Sequence, residues 1–194
     1  NKFFSSGNIP PSVCRGPDSP PCYLSSVLLP SNKVLFLNTD PLLPLAAESL
    51  SGTRMINDLE ATLTTHLVRI FLSAGVSVTD IGVVTFYRSQ LSLLRQHLRN
   101  VTASADAEIE MHTADKFQGR DKEVILVSCV RSNGAAQVGE LLKDWRRVNV
   151  AVTRARSKLV ILGSAKTLAG NELLGRLVAV CREKGWLVDL PGNA

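Results

Sequence analysis

Val124-Ile-Leu-Val-Ser-Cys-Val130 is the stretch that decides the fold. It carries no charge and is rich in β-branched residues, so it predicts a strand buried on both faces. Three further runs read the same way: Val34-Leu-Phe-Leu-Asn38, Ile81-Gly-Val-Val-Thr-Phe86 and Leu159-Val-Ile-Leu-Gly163. Between them the apolar residues change to helical spacing. Met55 to Ala74 places Leu59, Leu63, Leu67, Ile70 and Phe71 on one stripe, with Gly75 to close it. Ser89 to Arg99 turns Leu91, Leu94 and Leu98 inward, residues 145–157 predict a third helix, and Asn171 to Lys184 a fourth, capped by Gly185. Glu108 to Thr113 and Trp186 to Leu190 read as further strands, the last at an edge. Such alternation predicts an α/β fold with a mostly parallel sheet and helices on both faces. In sheets of this kind ligands gather at the carboxyl ends of the strands.

Eight of the nine prolines fall within residues 1–44, which excludes a central strand or helix from that region. Residues 1–31 therefore read as an extended, partly disordered lead-in, residues 32–191 as the folded domain, and residues 192–194 as a tail. The 194 residues, 45% of them hydrophobic, suffice for one domain with a core. The chain starts without Met, so it reads as a piece of a longer protein. No stretch approaches the ~20 apolar residues that cross a bilayer. The cysteines, Cys14, Cys22, Cys129 and Cys181, form no CxxC pair, and His66, His97 and His112 show no ligand spacing, so no metal site is expected. Cys129 and Cys181 read as core thiols of an intracellular, reducing compartment. The net charge is +5, and seven basic side chains lie between Lys143 and Lys166 with Asp144 as the only acid. Such a cluster attracts a phosphate chain or a nucleic-acid backbone.

Three strand ends carry unusual polar residues. Thr85-Phe-Tyr-Arg-Ser-Gln90 follows an apolar strand and opens a helix, where free N–H groups favour anions; an ordinary turn capped by Ser89 is the plainer reading. Thr113-Ala-Asp-Lys-Phe-Gln-Gly-Arg-Asp121 packs an amide, a cation and a carboxylate around Gly119, which can let backbone approach a ligand. Trp145-Arg-Arg-Val-Asn-Val-Ala-Val-Thr-Arg-Ala-Arg156 places Val148, Ala151, Val152 and Ala155 on one helical face, and Arg147, Arg154 and Lys158 along neighbouring rows of another. An arginine on a helix locked into a core is a rigid, permanently charged fork suited to phosphate. No Gly-x-x-x-x-Gly-Lys-Ser/Thr motif occurs, so the chain has no P-loop, and an Asp-Glu pair after an apolar strand is also absent.

In order, spacing and context these three segments resemble motifs IV, V and VI of the 5′-to-3′ superfamily 1 helicases. The most specific stretches are HTADKFQGRDKEVILVSCVRSN and VGELLKDWRRVNVAVTRARSKLVILGS. With VLFLNTD at 34–40 and LVDLP at 187–191, the chain is most similar to the eukaryotic DNA replication nuclease–helicase family over about residues 32–191. The resemblance implies the second RecA-like domain of such a motor, a three-layer sandwich of P-loop NTPase type without its own P-loop.

The resemblance also implies roles. Arg154 matches the arginine finger that reaches a γ-phosphate across a domain cleft, the catalytic role of this domain. Gln118, Gly119 and Asp121 match the nucleotide side of the motif V loop, and Arg88 a phosphate-sensing position. Thr85, Tyr87, Thr113 and Arg147 match the side facing single-stranded nucleic acid. Phe86 stands where proline is usual. ATP and Mg²⁺ are then held mainly by a partner, the first RecA-like domain of the same protein, and this chain alone is inactive. An iron–sulfur cluster is expected elsewhere in the full-length protein. Single-stranded DNA and a single-strand-binding protein are the other implied partners, with nuclear and mitochondrial locations. Two alternatives stay open: an RNA/DNA helicase of the nonsense-mediated-decay type, and a non-catalytic nucleic-acid-binding module of the same fold. A small-molecule transferase on a similar sheet lacks a phosphate cradle.

Overall fold

The computed structural model describes residues 26–52, 54–99, 101 and 108–191. Most of the Pro-rich lead-in, with Cys14 and Cys22, and the tail at 192–194 lie outside the described residues. The elements in chain order are β1 (Val34–Asn38), β2 (Ser49–Ser51), β3 (Arg54–Ile56), α1 (Asp58–Ser73), β4 (Ile81–Thr85), α2 (Arg88–Leu98), β5 (Glu110–Thr113), β6 (Lys122–Ser128), α3 (Glu140–Lys143), α4 (Trp145–Val152), β7 (Ala155–Gly163), α5 (Ala165–Leu168), α6 (Glu172–Glu183) and β8 (Leu187–Asp189). Six strands form one parallel sheet in the order β5-β4-β6-β7-β1-β8, and β2 and β3 pair as a separate antiparallel hairpin.

The two-residue period of the strands splits the core in two. Leu35, Leu37, Ile81, Val83, Val124, Leu126, Val160 and Leu162 face α1 and α2. Phe36, Val84, Ile125, Val127, Leu159 and Ile161 face α4 and α6. The result is the three-layer α/β sandwich expected of a RecA-like domain.

Three local expectations change. Met55 and Ile56 belong to β3, because Asn57 caps α1 by accepting a hydrogen bond from the Glu60 N–H. The helix read over 145–157 ends at Val152, and the chain from Ala155 onward is β7. Helical periodicity continued past the true end because Ala155 and the buried Leu159 keep an apolar rhythm that a strand also satisfies. Lys158 therefore lies on a strand and is 1% exposed. Its ammonium donates to the carbonyls of Val27 and Leu29 at 2.5 and 2.8 Å, and burial lowers its pKa to about 8. It ties residues 27–29 to the sheet and is not a surface phosphate attractor. Val27 and Leu28 are themselves buried core residues.

Candidate functional site

The parallel register sorts the candidate residues by sheet end. Thr85 of β4 pairs with Thr113 of β5 and Ser128 of β6, so all three close the carboxyl end. Lys122 opens β6 opposite Ala155 of β7 at the amino end, with the Lys122 N–H donating to the Arg154 carbonyl at 3.1 Å. Asp121 and Arg154 immediately precede these two strands. The six steps of β6 separate the ends by roughly 20 Å.

At the amino end the structure brings Arg154 and Asp121 together. Arg154 Nη1 donates to Asp121 Oδ1 at 3.0 Å, and Nη2 donates to Thr153 Oγ1 at 3.0 Å. The Thr153 hydroxyl in turn donates to the Asn149 carbonyl at 2.7 Å. The finger candidate is thus held not by a helix but by the turn between α4 and β7. Arg154 Nε is buried without a hydrogen-bond partner among the described residues. The guanidinium is thus held at two corners, which restricts its orientation. Gln118 and Gly119 lie in the turn before Asp121, where the Arg120 N–H donates to the Phe117 carbonyl. Gly119 has φ +76, and a Cβ there would meet nothing within 4 Å, so the turn's left-handed backbone, and not crowding, requires glycine. Phe117, fully buried, anchors this loop against Gly82 of β4, where a Cβ would come within 2.6 Å of the ring.

The carboxyl end gathers the other set. Thr85 is fully buried and its hydroxyl has no hydrogen-bond partner among the described residues. Thr113 is nearly buried, at 7% exposure. Arg147 reaches Asp115, two residues past Thr113, at 2.8 Å and Asp144 at 3.5 Å. Arg88 is exposed on the first turn of α2. It shares the end of Thr85 and Tyr87 and lies away from Arg154 and Asp121, so the structure does not bring all the nucleotide candidates together. Ser89 is not the cap: Tyr87 occupies that position, and the Ser89 hydroxyl donates to the Met55 carbonyl. Tyr87 is half-buried, which raises its phenol pKa, and it hydrogen-bonds Arg131. Arg131 pairs with Glu48 at 2.8 Å.

Four members of the seven-residue basic cluster are paired or buried on folding. Lys143 pairs with Glu140, Arg147 with Asp115, Arg154 with Asp121, and Lys158 is buried. Among the described residues there is no group of three or more His, Cys, Asp and Glu fit to hold a metal, and no helix is long and apolar enough to cross a membrane. Cys129 and Cys181 are buried free thiols.

One buried group escaped the sequence reading. Glu60 is fully buried in the first turn of α1. Its Oε2 accepts from Ser128 Oγ at 2.6 Å and the Val130 N–H at 2.9 Å. Asn57 donates to the Val130 carbonyl at 3.1 Å, and Gln90 ties Asn57 to Ser128. This network holds Val130 at φ 71, a conformation costly for a β-branched residue. The signal was present in the sequence: Glu60 shares a helical face with Leu63 and Leu67, an acid on an apolar stripe.

The comparisons accord with this geometry. A family described as AAA domain matches residues 11–166. The DNA replication ATP-dependent helicase/nuclease DNA2 of Mus musculus is 46% identical over 176 residues, which are 91% of this chain and 16% of that protein. The Xenopus laevis protein of the same name is 44% identical over 172 residues, 89% of this chain and 16% of its own length. The Saccharomyces cerevisiae protein is 42% identical over 172 residues, 89% of this chain and 11% of its own length. The chain thus spans 16% or less of these relatives. The match over most of its length, on a chain whose parallel sheet lies between two layers of helices, shows that the chain belongs to the AAA domain family.

Proposed function

We propose that this chain is the second motor domain of an ATP-dependent 5′-to-3′ DNA helicase, part of a nuclease–helicase acting in replication and repair. The observation that carries the reading is the Arg154–Asp121 pair at the amino end of β6 and β7, 3.0 Å apart. A partly exposed ion pair contributes only about 0–1 kcal/mol. A triphosphate, with several negative charges, outcompetes the single Asp121 carboxylate for the Arg154 fork. Arg154 then stabilises charge developing on the transferred phosphoryl group, an effect worth ~10³-fold or more in rate. Gln118, Gly119 and Asp121 line the same side of the cleft.

The P-loop and the Mg²⁺ ligands belong to the first RecA-like domain of the same protein in this reading. When that domain draws Arg154 inward, the cleft closes and the carboxyl-end residues move relative to the partner's grip on the strand. Thr113, Tyr87, Arg147 and Arg88 form this chain's share of the DNA track. Thr85, buried, supports Thr113 from the neighbouring strand. The same reading places the protein in the nucleus, with a mitochondrial pool, a single-strand-binding protein as partner, and an iron–sulfur cluster outside this chain.

The test is Arg154→Ala in the full-length protein. DNA-stimulated ATP hydrolysis should fall by ~10³-fold, with single-stranded DNA a better stimulus than RNA in the unaltered protein. Intact hydrolysis in the variant removes the finger assignment.

A further inference from the structure

Trp145 is an indole that the fold leaves in water. It is 59% exposed at the first position of α4. Two contacts tie this start of α4 and the segment before it to the carboxyl end of the sheet, and a cap fixes the first turn of the helix. Arg147 reaches Asp115 just beyond Thr113. Asp144 caps the helix by accepting from the Arg146 N–H at 3.0 Å. Gly139, six residues earlier, lies against Tyr87 and Arg131, since a Cβ there would meet the Tyr87 hydroxyl at 2.9 Å. Trp145 thus opens a helix whose first turn is tied to the loop that follows β5.

Its immediate surroundings carry one uncommitted charge. Lys143 is paired with Glu140, and Arg147 with Asp115 and Asp144. Arg146 makes no ion pair among the described residues, and its guanidinium lies over the Trp145 ring, 5.7 Å from the centroid. Arg146 orders the ring through a cation–π contact and keeps its full charge beside it. A solvent-facing ring next to an unneutralised guanidinium matches one nucleotide: the base stacks on the indole and its phosphate meets the arginine. A protein partner would be served by a wider apolar patch, and the residues flanking Trp145 in sequence, Lys143, Asp144, Arg146 and Arg147, are charged.

We propose that Trp145 and Arg146 form a single-nucleotide subsite, with Trp145 the base-stacking platform and Arg146 the phosphate contact, at the edge of the nucleic-acid track. The proposal rests on the reading that the carboxyl end of the sheet meets single-stranded nucleic acid. Stacking is indifferent to base identity, so the subsite grips without reading sequence.

The experiment compares oligothymidylate with an abasic strand of equal length on the 194-residue chain. The chain has two tryptophans, so in a Trp186→Phe background the emission reports Trp145 alone. Oligothymidylate should quench that emission, and the abasic strand should leave it unchanged. Trp145→Ala should weaken oligothymidylate binding by about fivefold or more and leave abasic binding unaltered, with Trp145→Phe restoring most of the loss. Arg146→Ala should weaken both strands and lower the salt dependence by about one ion. Three outcomes overturn the subsite. Equal loss on both strands with Trp145→Ala shows a role without stacking. Unchanged binding with Trp145→Ala while Arg88→Ala weakens it leaves the track standing and removes the subsite. Absence of binding to either strand by the full-length protein removes the track and the subsite together.

Discussion

Glu60 shows how much a single side chain determines here. Burial is the largest influence on it and raises its pKa from 4.5 to about 7, against the opposing hydrogen bonds from Ser128 and the backbone of Val130 and Cys129; Glu48 adds a smaller push upward. Between pH 4.5 and about 7 the folded chain holds a proton that the unfolded chain has lost. Stability therefore falls as pH rises through that window, by on the order of 3 kcal/mol in total, and stays low above it. Glu60→Gln keeps the hydrogen-bond geometry to Ser128 and Val130 and removes the titration. Denaturant midpoints from pH 5 to pH 8 should be nearly level for this variant and should slope downward for the unaltered chain. Equal slopes would assign the dependence to another group. Arg154 is the other residue whose setting matters more than its type. Its charge is legible in the sequence, but its restraint by Asp121 and Thr153 comes from β6 and β7 meeting at their amino ends.

At the scale of elements, the connection from β5 to β6 does the most with the fewest residues. It leaves the carboxyl end at Thr113 and must return to the amino end by Lys122. Phe117 makes that return possible by lying in the core across Gly82, and Gly119 then turns the chain toward Asp121. Gly82→Ala would place a methyl group 2.6 Å from the Phe117 ring and 2.7 Å from Ile125 Cδ1. We expect a loss of about 1–3 kcal/mol in chemical unfolding, together with weakened DNA-stimulated hydrolysis in the full-length protein, because the displaced ring carries the 118–121 loop with it. Stability lost with hydrolysis unaltered would show that Phe117 fills the core without positioning the loop.

For the whole molecule the main consequence is that the two sets of candidates occupy opposite ends of one sheet. Ligands were expected at the carboxyl ends of the strands; Thr113, Tyr87, Arg88 and Arg147 lie at that end, whereas Asp121 and Arg154 stand at the amino ends. The sheet is a stiff spacer between them, so motion at one end is delivered to the other as rigid-body displacement. The two ends should also be separable. Arg88→Ala should lower affinity for single-stranded DNA and reduce the salt slope by about one. Arg154→Ala should leave that affinity and slope in place while removing hydrolysis. Titrations at several salt concentrations decide this, and loss of both properties in both variants would show that the ends are not independent.

The sequence by itself determined the parallel α/β sandwich, because uncharged runs such as Val124–Val130 have no stable place except between two layers of helices. It also marked Arg154 and Asp121, since their motifs are local. It could not mark the end of the helix at Val152, because an apolar rhythm serves a helix and a following strand equally well. Nor could it show that most of the basic cluster is neutralised or buried, that Thr85 is shielded, or that Arg88 lies far from Arg154. Those facts depend on partners distant in the chain: Asp115 for Arg147, Asp121 for Arg154, and Val27 and Leu29 for Lys158. Charge is a property of composition, but its neutralisation is a property of which residues the sheet brings together, and only the tertiary structure decides that.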